Sequence, residues 1–144
     1  MNIANLLARK GPKVVTIRPD QTIRQALALL AEHNIGALVA VDEGGRPVGI
    51  LSERDIVREA ARNEAVFSLL VSSLMTRDVI IGTPQDDVVF AAATMAEKHI
   101  RHLPIVDRSR LVGMVSLGDI VKAHRNELQG EVDTLQTQLL EGPA

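Results

Sequence analysis

Apolar positions along the chain change period in a fixed order, and the order occurs twice. A short apolar run comes first, at Val14 to Ile17 and again at Val79 to Ile81. Alternating or continuous apolar runs of this length predict strands. Helical spacing follows at Ile23, Ala26, Leu27, Leu30 and Ala31, then at Val88, Ala91, Ala92, Met95 and Ala96. Pro19-Asp20 and Pro84-Gln85-Asp86-Asp87 precede these stretches as helix starts. Strands are predicted at Ala37 to Val41 and Leu103 to Val106. Short turns, Glu43 to Arg46 and Arg108 to Arg110, lead to further strands at Val48 to Leu51 and Leu111 to Val115. Those turns predict hairpins. A last helix in each copy starts near Ser52 or Ser116.

The two copies align residue by residue. Pro19 to Asp42 lies over Pro84 to Asp107 at a shift of 65, with Pro19, Ala26, Ala28, Ala31, Glu32, Ile35, Leu38, Val41 and Asp42 identical. The turn loses one residue. At a shift of 64, Val48, Gly49, Ser52, Asp55, Ile56 and Val57 again meet their like. Each copy therefore reads β-α-β-β-α. A unit this small buries little surface alone, so the two are expected to share a core, sheet to sheet, about a pseudo-twofold axis. The predicted divisions are 1–65 for the first repeat with its lead-in and linker, 66–124 for the second, and 125–144 for a tail. The segment Arg58 to Thr76 is expected to be mostly helical, and Ile3 to Leu7 and VSSLMT to form lead-in helices. In the tail, Leu128, Val132, Leu135 and Leu139 are spaced four, three and four apart. That spacing fits a two-heptad coiled coil or a helix packed on its own domain.

Composition narrows the partners. The net charge of −2 gives no general pull toward nucleic acid or anionic membrane. Two phenylalanines are the only aromatic residues, too few to stack single-stranded bases. Cysteine is absent, which removes disulfides, thiol nucleophiles and thiolate metal sites. No apolar run reaches the roughly 18 residues of a membrane span, and the basic residues near the start follow the apolar ones, the reverse of a signal peptide. A cytoplasmic protein is expected.

Candidate chemistry sits where strands meet helices. Gly49 to Asp55 and Gly113 to Asp119 share the pattern G-apolar-apolar-S-x-x-D. The glycine permits a bend or a close approach. The serine falls at a helix N-terminus, which favours an anion, and the aspartate can accept hydrogen bonds from vicinal ribose hydroxyls. The same Ser-x-x-Asp pattern also describes a capping box with no ligand. His99-Ile-Arg101-His102-Leu-Pro104 lies where the second copy's helix hands over to a strand, with Gly36 and Ala37 at the places of Arg101 and His102. Arg101 and His102 suit phosphate oxygens; a solvated arginine or a His99–His102 metal pair are the other readings. No Walker A loop, G-x-S-x-G elbow or H-E-x-x-H motif is present, so catalysis is not expected.

These motifs resemble those of the CBS domain, named for cystathionine β-synthase. TIRPDQTI, HNIGALVAVD and GILSERDIV mark the first copy; IIGTPQDDV, HIRHLPIVD and GMVSLGDIV mark the second. The pair resembles a Bateman module. The resemblance implies an α/β (α+β) fold with two clefts for adenosyl ligands: AMP, ADP, ATP, S-adenosylmethionine or NAD(H). Carried over, one cleft holds Thr16, Ile17, Gly36, Ala37, Met114, Ser116 and Asp119. The other holds Ile81, Gly82, Arg101, His102, Ile50, Ser52, Arg54 and Asp55, with Pro104 in the adjoining motif. The aspartates would take the ribose and the strand residues the adenine. Arg54, Arg101 and His102 would make the second cleft the phosphate site. The first cleft receives no cation from the matching positions: Gly118 stands for Arg54, and Gly82 stands for Thr16 in the other cleft. The resemblance further implies a homodimer that acts on an effector protein in trans and requires no cofactor. The competing reading is a structural or interaction module with vestigial clefts.

Overall fold

The computed structural model describes residues 1–11 and 14–141. It contains α1 (Ile3–Lys10), β1 (Thr16–Ile17), α2 (Ile23–His33), β2 (Ala37–Val41), β3 (Pro47–Ser52) and α3 (Glu53–Ala60). A 3-10 turn (Val66–Ser68) and α4 (Val71–Leu74) lead to α5 (Val88–Lys98), β4 (His102–Asp107), β5 (Arg110–Ser116) and α6 (Leu117–Glu141). The linker is therefore helical only in short pieces. Capping residues start the repeat helices: Thr22 closes a capping box with Gln25, and the Asp87 carboxylate accepts from Val89 and Phe90.

Each repeat hydrogen-bonds its own sheet. The first runs β1-β2-β3, with β1 parallel and β3 antiparallel to β2. The second has only β4-β5 as full strands. The expected strand at Val79 to Ile81 is absent. In its place Gly82 makes a single parallel bridge to Ile105, donating to the Pro104 carbonyl and accepting from Val106. Ile17 holds the same register opposite Ala40, so Gly82 corresponds to Ile17, not to Thr16. A Cβ at Gly82 would lie 2.9 Å from Leu103 Cδ2, so the close approach requires glycine, which forms strands poorly.

Strand parity divides the core into three parts. Leu38, Ala40 and Leu51 point into a first core with α2, α3 and α4. Leu103, Ile105 and Val115 point into a second with α5 and α6. The alternate positions Ala37, Val39 and Met114 meet in a third cluster where the two sheets face each other, joined by Val41, Ile50 and Leu111. The lead-in helices are exchanged. Ile3 and Leu6 of α1 pack into the second core, while Val71 and Met75 pack into the first. The α6 helix continues through the expected tail without a break, and every residue from His124 to Leu140 is exposed.

Two candidate ligand clefts

Strand register builds the clefts. Ala37 pairs with Ser52, and His102 pairs with Ser116. These pairs lie side by side between the sheets: a Cβ at Gly36, next to Ala37, would lie 3.6 Å from His102 Nε2. In both repeats the helix before the central strand ends on a left-handed residue, Asn34 (φ 51°) or His99 (φ 56°). The chain then turns so that a carbonyl meets the next helix: Gly36 O accepts from Glu53 N, and Arg101 O from Leu117 N. The junction is therefore fastened to the N-terminus of the helix that carries the aspartate.

The first cleft, of about 420 Å³, contains Gly36, Ala37, Met114, Ser116 and Asp119. Thr16 and Ile17 do not line it. Thr16 is exposed and Ile17 is buried in the first core, and Val14 and Val15 form that wall instead. The second cleft, of about 460 Å³, gathers Ile50, Ser52, Arg54, Asp55, Arg101 and His102. Ile81 and Gly82 lie outside it; Val79 and Ile80 take their place. Pro104 is fully buried in the strand and reaches neither cleft. In both repeats the wall comes from the residues just before the β1 position, because the strand's own side chains enter the core or face solvent. The volumes suit a small ligand.

Both Ser-x-x-Asp motifs form capping boxes. Asp55 Oδ2 accepts from Ser52 N at 3.0 Å, and Ser52 Oγ accepts from Asp55 N at 3.2 Å. The matching distances for Asp119 and Ser116 are 2.8 and 3.0 Å. Capping uses one carboxylate oxygen, so it does not exclude a ligand on the other. The glycines that open the two Ser-x-x-Asp motifs serve packing. A Cβ at Gly49 would lie 2.4 Å from Met75 Sδ, and one at Gly113 would lie 2.7 Å from Leu7 Cδ2.

The clefts differ in charge, and partly through residues outside the repeated motifs. Lys10, at the end of α1, enters the first cleft, where its ammonium donates to Asp119 Oδ2 and to the Met114 carbonyl, each at 2.6 Å. The first cleft is therefore not without a cation. In the second cleft the equivalent carbonyl, of Ile50, accepts from the Thr76 amide instead. Arg54, Arg58 and Arg101 line that cleft together with Glu53, Asp55 and Asp78. His102 stands between the clefts and lines both. Burial, then the Lys10 charge, hold its pKa below the usual histidine value, against Asp119 and Glu53. Among the described residues no cluster of three metal-ligating side chains occurs. No helix among them is long and apolar enough to cross a membrane.

The CBS-domain family model matches residues 8–62 and 71–126. The chain belongs to the CBS-domain family. Its two CBS domains are 37% identical over 123 residues to the CBS domain-containing protein YhcV of Bacillus subtilis, spanning 85% of this chain and 87% of that one. The CBS-domain containing protein ATU1752 from Agrobacterium tumefaciens has a similar structure, with a TM-score of 0.82 and 37% identity over 86% of this chain and 99% of that chain. The CBS domain pair of MJ0100, solved with 5′-methylthioadenosine and S-adenosyl-L-methionine, matches with a TM-score of 0.80 and 30% identity over 88% of this chain and 98% of that one. Inosine-5′-monophosphate dehydrogenase of Mycobacterium tuberculosis is 38% identical over 117 residues, but the match covers only 21% of that enzyme.

Proposed function

We propose that this CBS pair is a non-catalytic regulatory module that binds an adenine nucleotide, AMP, ADP or ATP, in the second cleft. The observation that carries the reading is the setting of Asp55. One of its oxygens holds the cap, the other has no hydrogen-bond partner among the described residues, and Arg54, Arg58 and Arg101 line the same cleft. A free carboxylate oxygen suits ribose hydroxyls, and guanidinium groups suit phosphate. The adenosyl ligands of MJ0100, a similar CBS pair, support the ligand class. The first cleft, with Lys10 on Asp119, takes such a ligand more weakly. The module acts as a homodimer on an effector in trans, and the chain's lack of cysteine suits a reducing compartment such as the cytoplasm.

Calorimetry with AMP, ADP, ATP and S-adenosylmethionine tests this reading. Asp55→Ala should weaken nucleotide binding tenfold or more, and Arg101→Ala should weaken ATP more than adenosine. A ligand at a hundred times its Kd adds about 2.7 kcal/mol of stability, visible in a melt. No shift with any adenosyl ligand would replace this reading with a structural module whose clefts are vestigial.

A further inference from the structure

The last helix carries two surfaces that match each other but cannot meet within one chain. Ile120 and Ala123 hold the start of α6 on the second core. Beyond them the helix leaves the protein body, and the CBS match ends at residue 126. Near its start lies a groove of about 630 Å³ that contains Gly118, Val121, Lys122 and Arg125, with Leu117 and Asn126 beside them, and it opens at one end onto Arg101, His102 and Ser116 of the ligand clefts. Those first four are spaced three, four and seven apart, the arrangement that receives a knob from a facing helix. Leu117 and Val121 are 40% and 51% exposed there, and no acidic residue lines the groove. Further along α6, Leu128, Val132, Leu135 and Leu139 form an exposed apolar stripe flanked by Glu127, Glu131 and Asp133.

A straight helix cannot fold its second half onto its first. A second copy can bring the two together. The orientation follows from charge. Parallel pairing sets Arg125 level with Arg125 and Glu131 level with Glu131. Antiparallel pairing sets the Lys122–Arg125 half of each helix against the Glu127–Asp133 half of the other, and also opposes the helix dipoles. We propose that two copies of this chain associate through antiparallel α6 helices, with Val132 and Leu135 of each seated in the other's Gly118–Arg125 groove. The contact is isologous, so each copy gives and receives the same surface. This deepens the self-association proposed above by naming the surface that carries it.

Cysteine crosslinking of the full chain tests the arrangement, since no native cysteine interferes. Mixed Val121→Cys and Val132→Cys proteins should form a disulfide-linked dimer under mild oxidation. Val121→Cys alone should not, because antiparallel pairing holds its two copies about 16 Å apart along the axis at 1.5 Å per residue. Self-crosslinking of Val121→Cys would show a parallel pair and overturn the proposal. Sedimentation supplies the second readout: Leu135→Asp should convert dimer to monomer with the melt of the CBS pair unchanged. A dimer that survives Leu135→Asp without the 121–132 crosslink places self-association elsewhere and overturns this surface alone. A wild-type monomer at 100 µM overturns self-association as well, while nucleotide binding, read separately, stands or falls by itself.

Discussion

The Lys10 ammonium lies 2.6 Å from Asp119 Oδ2 and ties the first helix of the chain to the last. Burial opposes the charge on Asp119, but the Lys10 and Ser116 hydrogen bonds outweigh it and hold the carboxyl below its usual pKa. Asp55, its counterpart, has the same cap and no lysine. Two copies of one motif thus present different surroundings to a ligand, one carboxylate with an ammonium on it and one without. The difference arises because α1 is packed on the second repeat, where its C-terminal end reaches the first cleft.

Lys10→Met should therefore change the first cleft with little loss of fold. The side chains are 34% and 24% exposed, so solvent screens the pair and its removal should cost no more than about 1 kcal/mol. The Asp119 pKa should rise in a carboxyl-detected NMR titration. Lys10 shares Oδ2 with the cap and leaves Oδ1 without a partner among the described residues, so neutral adenosyl ligands should gain affinity from the space the ammonium vacates in the cleft, seen as stoichiometry moving from one site toward two. An unmoved Asp119 titration would show that the ion pair does not persist in solution.

Gly49 shows a second consequence of the exchanged helices. Met75 rests on it, as Leu7 rests on Gly113. Gly49→Ala should push the Met75 side chain off the strand, an overpacking change that costs about 1–3 kcal/mol. Met75 follows α4 directly and precedes Thr76, whose backbone pairs with Ile50 at the second cleft. Met75→Ala opens a cavity of its own in the first core, so the relief should appear in urea denaturation as a double-variant loss smaller than the sum of the two single losses. Additive losses would mean that the strand itself, not the side chain, resists the substitution.

The repeats, their order and the sheet-to-sheet contact were legible because each rests on local period and on identical residues in two copies. The resemblance to the CBS pair, rather than the spacing, put Ala37, Ile50, Met114 and the two Ser-x-x-Asp motifs in the clefts, and the strand register brings Ala37, Ile50 and Met114 to the shared face. The cleft walls at Val14–Val15 and Val79–Ile80 were not legible, since a shift of one or two residues along a short strand leaves the period unchanged. The missing strand before Gly82 was signalled by the glycine itself. Lys10 also left a trace: Ile3, Leu6 and Lys10 lie on one helical face, so a cation ends an apolar stripe. Nothing local could show that this face packs on the distant repeat, because that depends on chain crossing rather than on spacing.

His102 connects the clefts to pH. Burial first, then Lys10, lowers its pKa from 6.5, with Arg101 acting in the same direction and Asp119 and Glu53 against it. The unfolded chain therefore binds more protons than the folded one below about 6.5, and stability rises with pH through that window. Falling pH should destabilise the protein from about 6.5 downward, by less than about 1.4 kcal/mol per pH unit for one proton. His102→Gln should flatten this part of a urea-denaturation series. Asp119 adds a loss of the same sign near and below 3.8, which the substitution leaves in place. A nucleotide phosphate beside His102 in the second cleft would favour the imidazolium and raise its pKa. ATP binding near pH 6.5 should then take up a fraction of a proton, measured as a dependence of binding enthalpy on buffer ionisation enthalpy, and adenosine should not. Equal proton uptake for both ligands would place the phosphates away from His102.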